Sequence, residues 1–448
     1  MQQPIDSQNL VDRAEQLVSL AKKAGATDAD AVIVRSRSRS VAVRLGKVES
    51  VDASEGDDFS LRVFVGKRVA SVSANPGFDA ATLAGRAVAM AKASPEDPFA
   101  CLADDADLSH DYPDLGLVDE IDVSSEELTD KALEMEAAAL AVPGVTNSGG
   151  AGTSVSMGGM VLVTSRGFSG SYMATRFGRG ISVIAGEGTA MERDYEGDSR
   201  VRYADLDPAA ELGRKAAERA VKKLNPRQAD TGSGITVIYD PRVARGMVGH
   251  LASAINGAAI VRKTSFLRDM MGQQILRKGL MVLDDPHIIR GPSSRPFDGE
   301  GVAGSKLVMV DDGVLQQWFL ATSQAQELGL RTNGRGVRSG TTVTPSSTNL
   351  SLEPGTVSPE DMLKSVKSGF YVTEMIGHGA NLVTGEYSRG ASGFWIENGE
   401  LAYPVSEVTI ASNLKDMFMR VTPANDIDRK YGVAAPTIAI EGMTLAGR

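Results

Sequence analysis

The chain has 448 residues and a formal net charge of −10, long enough for roughly two to four domains and a large buried core. With 42% apolar and 23% charged residues its composition is that of a globular protein, and no apolar run approaches the roughly 20 residues of a bilayer span. A single cysteine, Cys101, excludes an internal disulfide framework and any zinc site built from several thiolates.

The opening MQQPIDSQNL lacks the basic start and apolar centre of a signal peptide, so a cytoplasmic protein is expected. SQNLVDRAEQLVSLAKKAG places Leu10, Ala14, Leu17, Val18 and Ala21 on one helical face, with Ser7 as cap and Gly25 as stop. Two hairpins follow, AVIVRSRSRSVAVRLGKVESV and FSLRVFVGKRVASVSA, then a small-residue helix, DAATLAGRAVAMAKA. Residues 96–127 hold twelve Asp and Glu and no Lys or Arg, so the rest of the chain sums to +2. The acidity is local, its Pro-rich part at about 95–123 reads as a loop or linker, and no broad basic surface suggests nucleic-acid binding.

SSEELTDKALEMEAAAL begins with a capping box, Ser124 and Glu127, and sets Leu128, Ala132, Met135 and Ala139 on one face. Gly-rich strands from about 144 to 203 lead to DPAAELGRKAAERAVKKLNP, a helix with Asp207 as cap and Pro208 in its first turn. The order helix, strands, helix thus occurs twice, which suggests a degenerate internal duplication. After residue 228 the texture changes: DDG at 311–313 and ENG at 397–399 are tight-hairpin signals, and short helices are expected in SQAQELG, SPEDMLKSV and SNLKDMFMR. The expectation is an α+β protein, with a mixed N-terminal domain at 1–228 and a β-dominated C-terminal domain of antiparallel hairpins at 229–448.

Of the stretches that could carry chemistry, RSRSRS at 35–40 alternates as a solvated strand does, and three arginines make a small phosphate footprint. NSGGAGTSVSMGG and RTNGRGVRSGTT lack the Walker lysine spacing and read as turn glycines, with Arg335 and Arg338 as candidate peptide or anion contacts. SGITVIYDPRVARGMVGHLASAI reads as a strand ending at Asp240, then a helix capped by Asp240 with Pro241 first. Val243, Met247, Leu251 and Ala254 form its apolar stripe, and His250 falls within it. His250 is then either a packing residue or the survivor of a two-histidine metal site. Arg245 has no lone pair to give a metal, and Gly246 cannot act as a general base.

The chain resembles the TldD/PmbA family, in its PmbA (TldE) branch, through HGANLVTGEYSRGASGFWIENGELAYPVSEVTIASNLKDM at 378–417, SRPFDGEG at 294–301 and GHLASAINGAAIVRKTSFLRDMMGQQIL at 249–276. The resemblance implies that catalytic TldD-type relatives carry His-Glu-x-x-x-His on this helix and a cysteine near the C-terminus, which together hold a metal for peptide hydrolysis. Here those helix positions read Arg245, Gly246 and His250, and DRKYGVAAPTIAIEGMTLAGR has no cysteine. Five residues also turn about 140° around an ideal helix, so the family motif needs local widening to converge on one ion.

What the resemblance implies is a non-catalytic subunit, binding no metal itself, of a heterodimeric metallopeptidase whose TldD-type partner carries zinc and which acts on short or unfolded peptides. Exposed strand edges of the β-rich half would hold extended peptide, with His378 as a further candidate contact. Two other readings stay open: a free-standing, homodimeric binding or regulatory protein of the gyrase-modulator type, and an independent hydrolase using His250, His378 and distant carboxylates. Neither nucleic acid nor membrane is expected as a partner.

Overall fold

The computed structural model describes residues 7–340 and 342–447. The first half runs α1 (Ser7–Lys23), β1 (Asp28–Arg44), β2 (Lys47–Val65), β3 (Arg68–Ala74), α2 (Ala80–Ala93), α3 (Ser125–Leu140), β4 (Val145–Thr164), β5 (Ser169–Ala185), β6 (Glu192–Arg200) and α4 (Ala209–Lys222). Its strands form one antiparallel sheet in the order β3-β2-β1-β4-β5-β6. The order α-β-β-β-α occurs twice, and the first strand of each copy, β1 and β4, pair at the centre of the sheet.

Helix periodicity sets how each copy closes. Leu10, Ala14, Leu17, Val18 and Ala21 of α1 are buried against α2 and one end of the sheet, while Leu128, Ala132, Met135 and Ala139 of α3 face α4 and the other end. Gly213 lets α4 approach α3 closely, since a Cβ there would lie 2.0 Å from the carbonyl oxygen of Met135. Leu45 and Gly46, with φ of 49° and 73°, make the two-residue turn between β1 and β2. The buried Glu136 carboxylate accepts both their N–H groups, at 2.9 and 2.8 Å. Arg35 and Arg37 face Asp57 and Glu55 across the strands, at 2.6 and 2.8 Å, the ion-paired form of a solvated strand.

Two caps depart from expectation. Ser124 does accept the Glu127 N–H at 3.1 Å, but the Glu127 carboxylate accepts the Tyr203 hydroxyl instead of closing the box. Asp207 lies before the cap of α4, which is Pro208, and its carboxylate is drawn off toward Arg200 and Lys430. The cap read for Ser7 lies outside the described residues, as nothing of its side chain is described.

The acidic stretch is a docked strap. It has one helical turn, Asp105–Asp107, and buries Leu102, Leu108, Leu115 and Leu117 while most of its carboxylates face water. Its backbone bonds to both halves: Leu117 O accepts from Thr175 N at 2.9 Å, and Leu115 O and Ser109 N pair with Arg290 N and Gly301 O, each at 2.8 Å.

The second half runs β7 (Gly232–Tyr239), α5 (Pro241–Ala254), α6 (Gly257–Val261), β8 (Val282–Asp285), β9 (Leu307–Asp311), β10 (Val314–Leu315), α7 (Thr322–Glu327), β11 (Gly336–Ser339), β12 (Thr342–Pro345), β13 (Asn349–Leu352), α8 (Pro359–Lys364), β14 (Ser368–Ile376), β15 (Glu386–Glu397), β16 (Glu400–Asn413), α9 (Leu414–Arg420), β17 (Val421–Pro423), β18 (Val433–Ala434) and β19 (Ile438–Ala446). The expected DDG and ENG turns join β9 to β10 and β15 to β16, with Asp312 and Asn398 left-handed. Strands β16-β15-β14-β7-β19 close into a barrel because β19 also pairs with β16. A second sheet, β10-β9-β8-β13-β18, lies beside it, and α5 buries Met247, Val248 and Leu251 between Val282 and Leu352 of that sheet and Ile438 of the barrel.

Barrel closure corrects one expectation. A closed sheet has no free edges, so the β-rich half offers fewer strand edges to a peptide than its sequence suggests. Among the described residues a long unpaired edge lies in the N-terminal sheet, where β3 covers only Phe59–Val65 of β2 and Lys47–Asp58 pair on one side alone. Among the described residues no helix is long and apolar enough to cross a membrane.

Candidate functional site

Helix α5 starts where the sequence indicates. Asp240 accepts the Arg242 N–H at 3.0 Å, and Pro241 occupies the first turn, where no N–H is needed. Its start is tied to the N-terminal sheet: Arg242 reaches Asp194 of β6 at 3.1 Å, and Asp194 also meets Lys223 at 2.8 Å. Burial opposes the charge on Asp194, but Lys223 and Arg242 outweigh it and hold the carboxyl below its ordinary range.

The three positions of interest then diverge. Arg245 lays its guanidinium over the ring of Tyr431, 3.7 Å from the centroid, a cation–π contact. Gly246 is exposed, and a Cβ there would meet nothing within 4 Å. His250 turns instead to Tyr387, with ring centroids 6.0 Å apart and edge to face. The helix is regular α throughout, so residues 245 and 250 keep the angular separation of an ideal helix and meet different neighbours.

Around His250 lie Tyr239 from the end of β7 and Tyr387 and Arg389 from β15; the last two share a strand face by their i, i+2 spacing. Among the described residues, His250 Nε2 and Arg389 Nε are buried without a hydrogen-bond partner, while the Tyr239 and Tyr387 hydroxyls are bonded to each other. Burial and then the Arg389 charge push the His250 imidazole below its ordinary pKa. Burial raises the Tyr387 phenol to about 12 against the opposing effect of Arg389, and burial, with the neighbouring Tyr387, holds the Tyr239 phenol well above its ordinary range.

These side chains do not fit a zinc ion. One neutral imidazole is the sole ordinary donor, both phenols hold their protons, and Arg389 brings a positive charge into the space an ion would need. No group of three or more His, Cys, Asp or Glu with ligand geometry occurs among the described residues. Cys101 lies in the acidic strap, half-buried, with burial first and then Glu300 raising its thiol pKa.

The other sequence-predicted residues do not gather here. Arg335 is fully buried, with its guanidinium bonded to Asp284 at 2.5 Å and to the carbonyls of Asn333, Gly334, Asp284 and Ser305. It is therefore corrected from a peptide contact to a core residue. Arg338 bonds to the Gly299 carbonyl at 2.5 Å and to Asp30 of the N-terminal sheet at 2.7 Å, so it too is committed, as a tie between the halves. His378 is exposed in the loop after β14. Sequence reasoning missed Tyr387, Arg389 and Tyr431. The alternation of Tyr387 and Arg389 within GEYSRG was the available signal.

The imidazole titration has a measurable consequence. Unfolded His250 binds a proton near pH 6.5 and the folded residue only at lower pH, so below that pH the unfolded chain takes up more protons and stability falls on acidification. His250→Gln should flatten this part of the pH dependence. Urea midpoints of the two proteins should run parallel above pH 7 and converge or cross as pH drops through 6; identical slopes throughout would contradict the assignment.

Family models place this geometry. Residues 231–447 match the PmbA/TldA metallopeptidase C-terminal domain, 119–224 the central domain and 29–92 domain 1. The chain is similar to the metalloprotease PmbA of Escherichia coli, 36% identical over 97% of this chain and 96% of that one. It is similar also to the metalloprotease PmbA homolog of Haemophilus influenzae, 34% identical over 96% and 94%. Among solved structures, a candidate modulator of DNA gyrase from Bacteroides thetaiotaomicron superposes with a TM-score of 0.90 at 26% identity, covering 99% of each chain. TldE from Thermococcus kodakarensis shares the fold, with a TM-score of 0.85 at 21% identity over 97% of this chain and 100% of that one. Matched along most of its length by the three domain models and by relatives more than 30% identical, the chain belongs to the PmbA/TldD metallopeptidase family.

Proposed function

We propose that this chain is the non-catalytic subunit of a cytoplasmic, two-chain metallopeptidase, pairing with a TldD-type chain that supplies the zinc and the water-activating base. The observation that carries this reading is α5. At the positions of His-Glu-x-x-x-His it holds Arg245, Gly246 and His250, with Arg245 stacked on Tyr431 and His250 turned to Tyr387. Gly246 leaves no carboxylate at the position from which the motif's Glu would take a proton from water beside a metal. This chain's part is then to bind and orient short or unfolded peptides and to wall the space in which the partner works.

The test uses the purified chain alone and mixed with the TldD-type chain of the same genome. Elemental analysis should find no stoichiometric zinc in the chain by itself, and cleavage of an unfolded peptide should require the mixture and stop with chelator. Cleavage by this chain alone, lost on His250→Ala, would instead establish an independent hydrolase, the reading favoured by relatives that are themselves called metalloproteases.

A second expectation concerns repair of the motif. The space at Gly246 accepts a larger side chain, so Arg245→His with Gly246→Glu should fold. It should still not bind zinc tightly, because the regular helix aims residues 245 and 250 apart and no thiolate is at hand. A zinc titration followed by calorimetry that gave tight, one-to-one binding would contradict this.

A further inference from the structure

Beside the strap, between the two halves, lies a hollow of about 320 Å³ with Arg176, Arg200, Arg290, Arg429 and Lys430 in its wall against only two carboxylates, Asp205 and Asp428. Three of these cations are engaged. Arg200 pairs with Asp198 at 2.9 Å, Arg429 with Glu353 at 2.8 Å, and Lys430 with Asp428 at 3.3 Å and Asp207 at 3.5 Å. Arg290 touches Asp205 only at 3.9 Å. Arg176 reaches across from β5 and donates to the Pro292 carbonyl; among the described residues no carboxylate lies within ion-pair distance of it.

That arrangement is costly in an isolated protein. Burial pushes the Arg176 pKa down with no acid to offset it, and a guanidinium keeps its charge regardless. Nearby, a Cβ on Gly116 of the strap would lie 3.6 Å from the Arg290 stem and 3.9 Å from the Arg202 guanidinium, and Arg202 Nε is itself buried without a partner among the described residues. Arg176, with no carboxylate, and Arg290, with one distant carboxylate, therefore bring donors to one small space that lacks an anion of matching shape, and Arg202 lines the adjoining hollow under the strap.

We propose that this hollow binds the free α-carboxylate at the C-terminus of a peptide, held by Arg176 and Arg290. A planar carboxylate suits the guanidinium fork, and the volume is at the small end of ligand sites, enough for a chain end. Asp205 and Asp428 disfavour a doubly charged phosphate in the same place. The segment around Asp428 and Lys430 also lines a second hollow, of about 210 Å³, whose wall includes Pro241, Arg242 and Arg245 of α5. A peptide anchored at Arg176 would therefore extend toward that helix. The inference rests on the peptide-binding role proposed above and adds what end of the peptide this chain reads.

The test is fluorescence anisotropy on the full chain at low salt, with an N-terminally labelled apolar tripeptide as the free acid and as the carboxamide. The acid is expected to bind more tightly by about tenfold or more, and Arg176→Gln to remove that preference. Because Arg176 also bonds to Pro292, Arg290→Gln on the opposite wall provides a second variant, expected to weaken the acid in the same sense. Equal binding of acid and carboxamide, or a preference that survives both variants, overturns the proposal. So does a carboxamide with an internal aspartate that binds as well as the acid, or inorganic phosphate competing better than acetate at equal ionic strength. Assembly and cleavage in the mixture with the TldD-type chain are read separately, so loss of this site and loss of the subunit role are distinguishable.

Discussion

Replacing Arg335 by alanine is expected to cost about 3–5 kcal/mol of stability, because it strands a buried charge. Asp284 is as fully buried as Arg335; its carboxylate would keep the Thr348 N–H and hydroxyl at 2.7 Å each but lose the only cation that pairs with it among the described residues. Four carbonyls lose their donor at the same time. Adding Asp284→Asn should recover part of the loss, since it removes the stranded charge and keeps an acceptor for Thr348. Urea denaturation of the two single variants and the double variant forms a cycle; a double variant no better than the sum of the singles would contradict this account.

Asp30→Ala should be of similar size, about 3–5 kcal/mol, with a different structural result. Asp30 of β1 is buried and accepts Arg62 at 2.5 Å and Arg338 at 2.7 Å, so its removal leaves two guanidiniums facing each other where the N-terminal sheet meets the β11–β12 hairpin. Burial alone would raise this carboxyl, but Arg338 and Arg62 outweigh it and hold it below its ordinary value of 3.8. The pair's contribution is therefore present above about that pH and lost as pH falls through the lower, folded value. Loss of the tie should loosen the strap as well. Since residues 96–127 have no Lys or Arg, an endoproteinase specific for acidic residues, not trypsin, will report it. Unchanged strap cleavage in Asp30→Ala would mean that the halves are held elsewhere.

Local signals in the sequence carried well where local physics decides. The α1 stripe, the Ser124 and Asp240 caps and the DDG and ENG turns all depend on residues within a turn or two of one another, and all are found. Arg335 and Arg338 were misread because a Gly-rich stretch suggests surface, while their burial is decided by Asp284 and Asp30, far away in sequence. The surroundings of His250 failed for the same reason: Tyr387 and Arg389 come from a strand more than a hundred residues on. The acidic segment was legible in part. It is the loop that its Pro and Asp indicate, with one short helical turn, but the interleaved Leu102, Leu108, Leu115 and Leu117 dock it where a free linker would also fit the charge.

The barrel's last stave has a consequence for synthesis. Strand β19 enters between β7 and β16, pairing Ile438 with Tyr239 about two hundred residues earlier, so ring closure is a strongly non-local event. The N-terminal sheet has all its strands once residue 200 has emerged from the ribosome and can fold then. The other half must wait, with β7 and β16 unsatisfied, until residues 438–446 appear, and that interval is when a nascent chain most needs a chaperone.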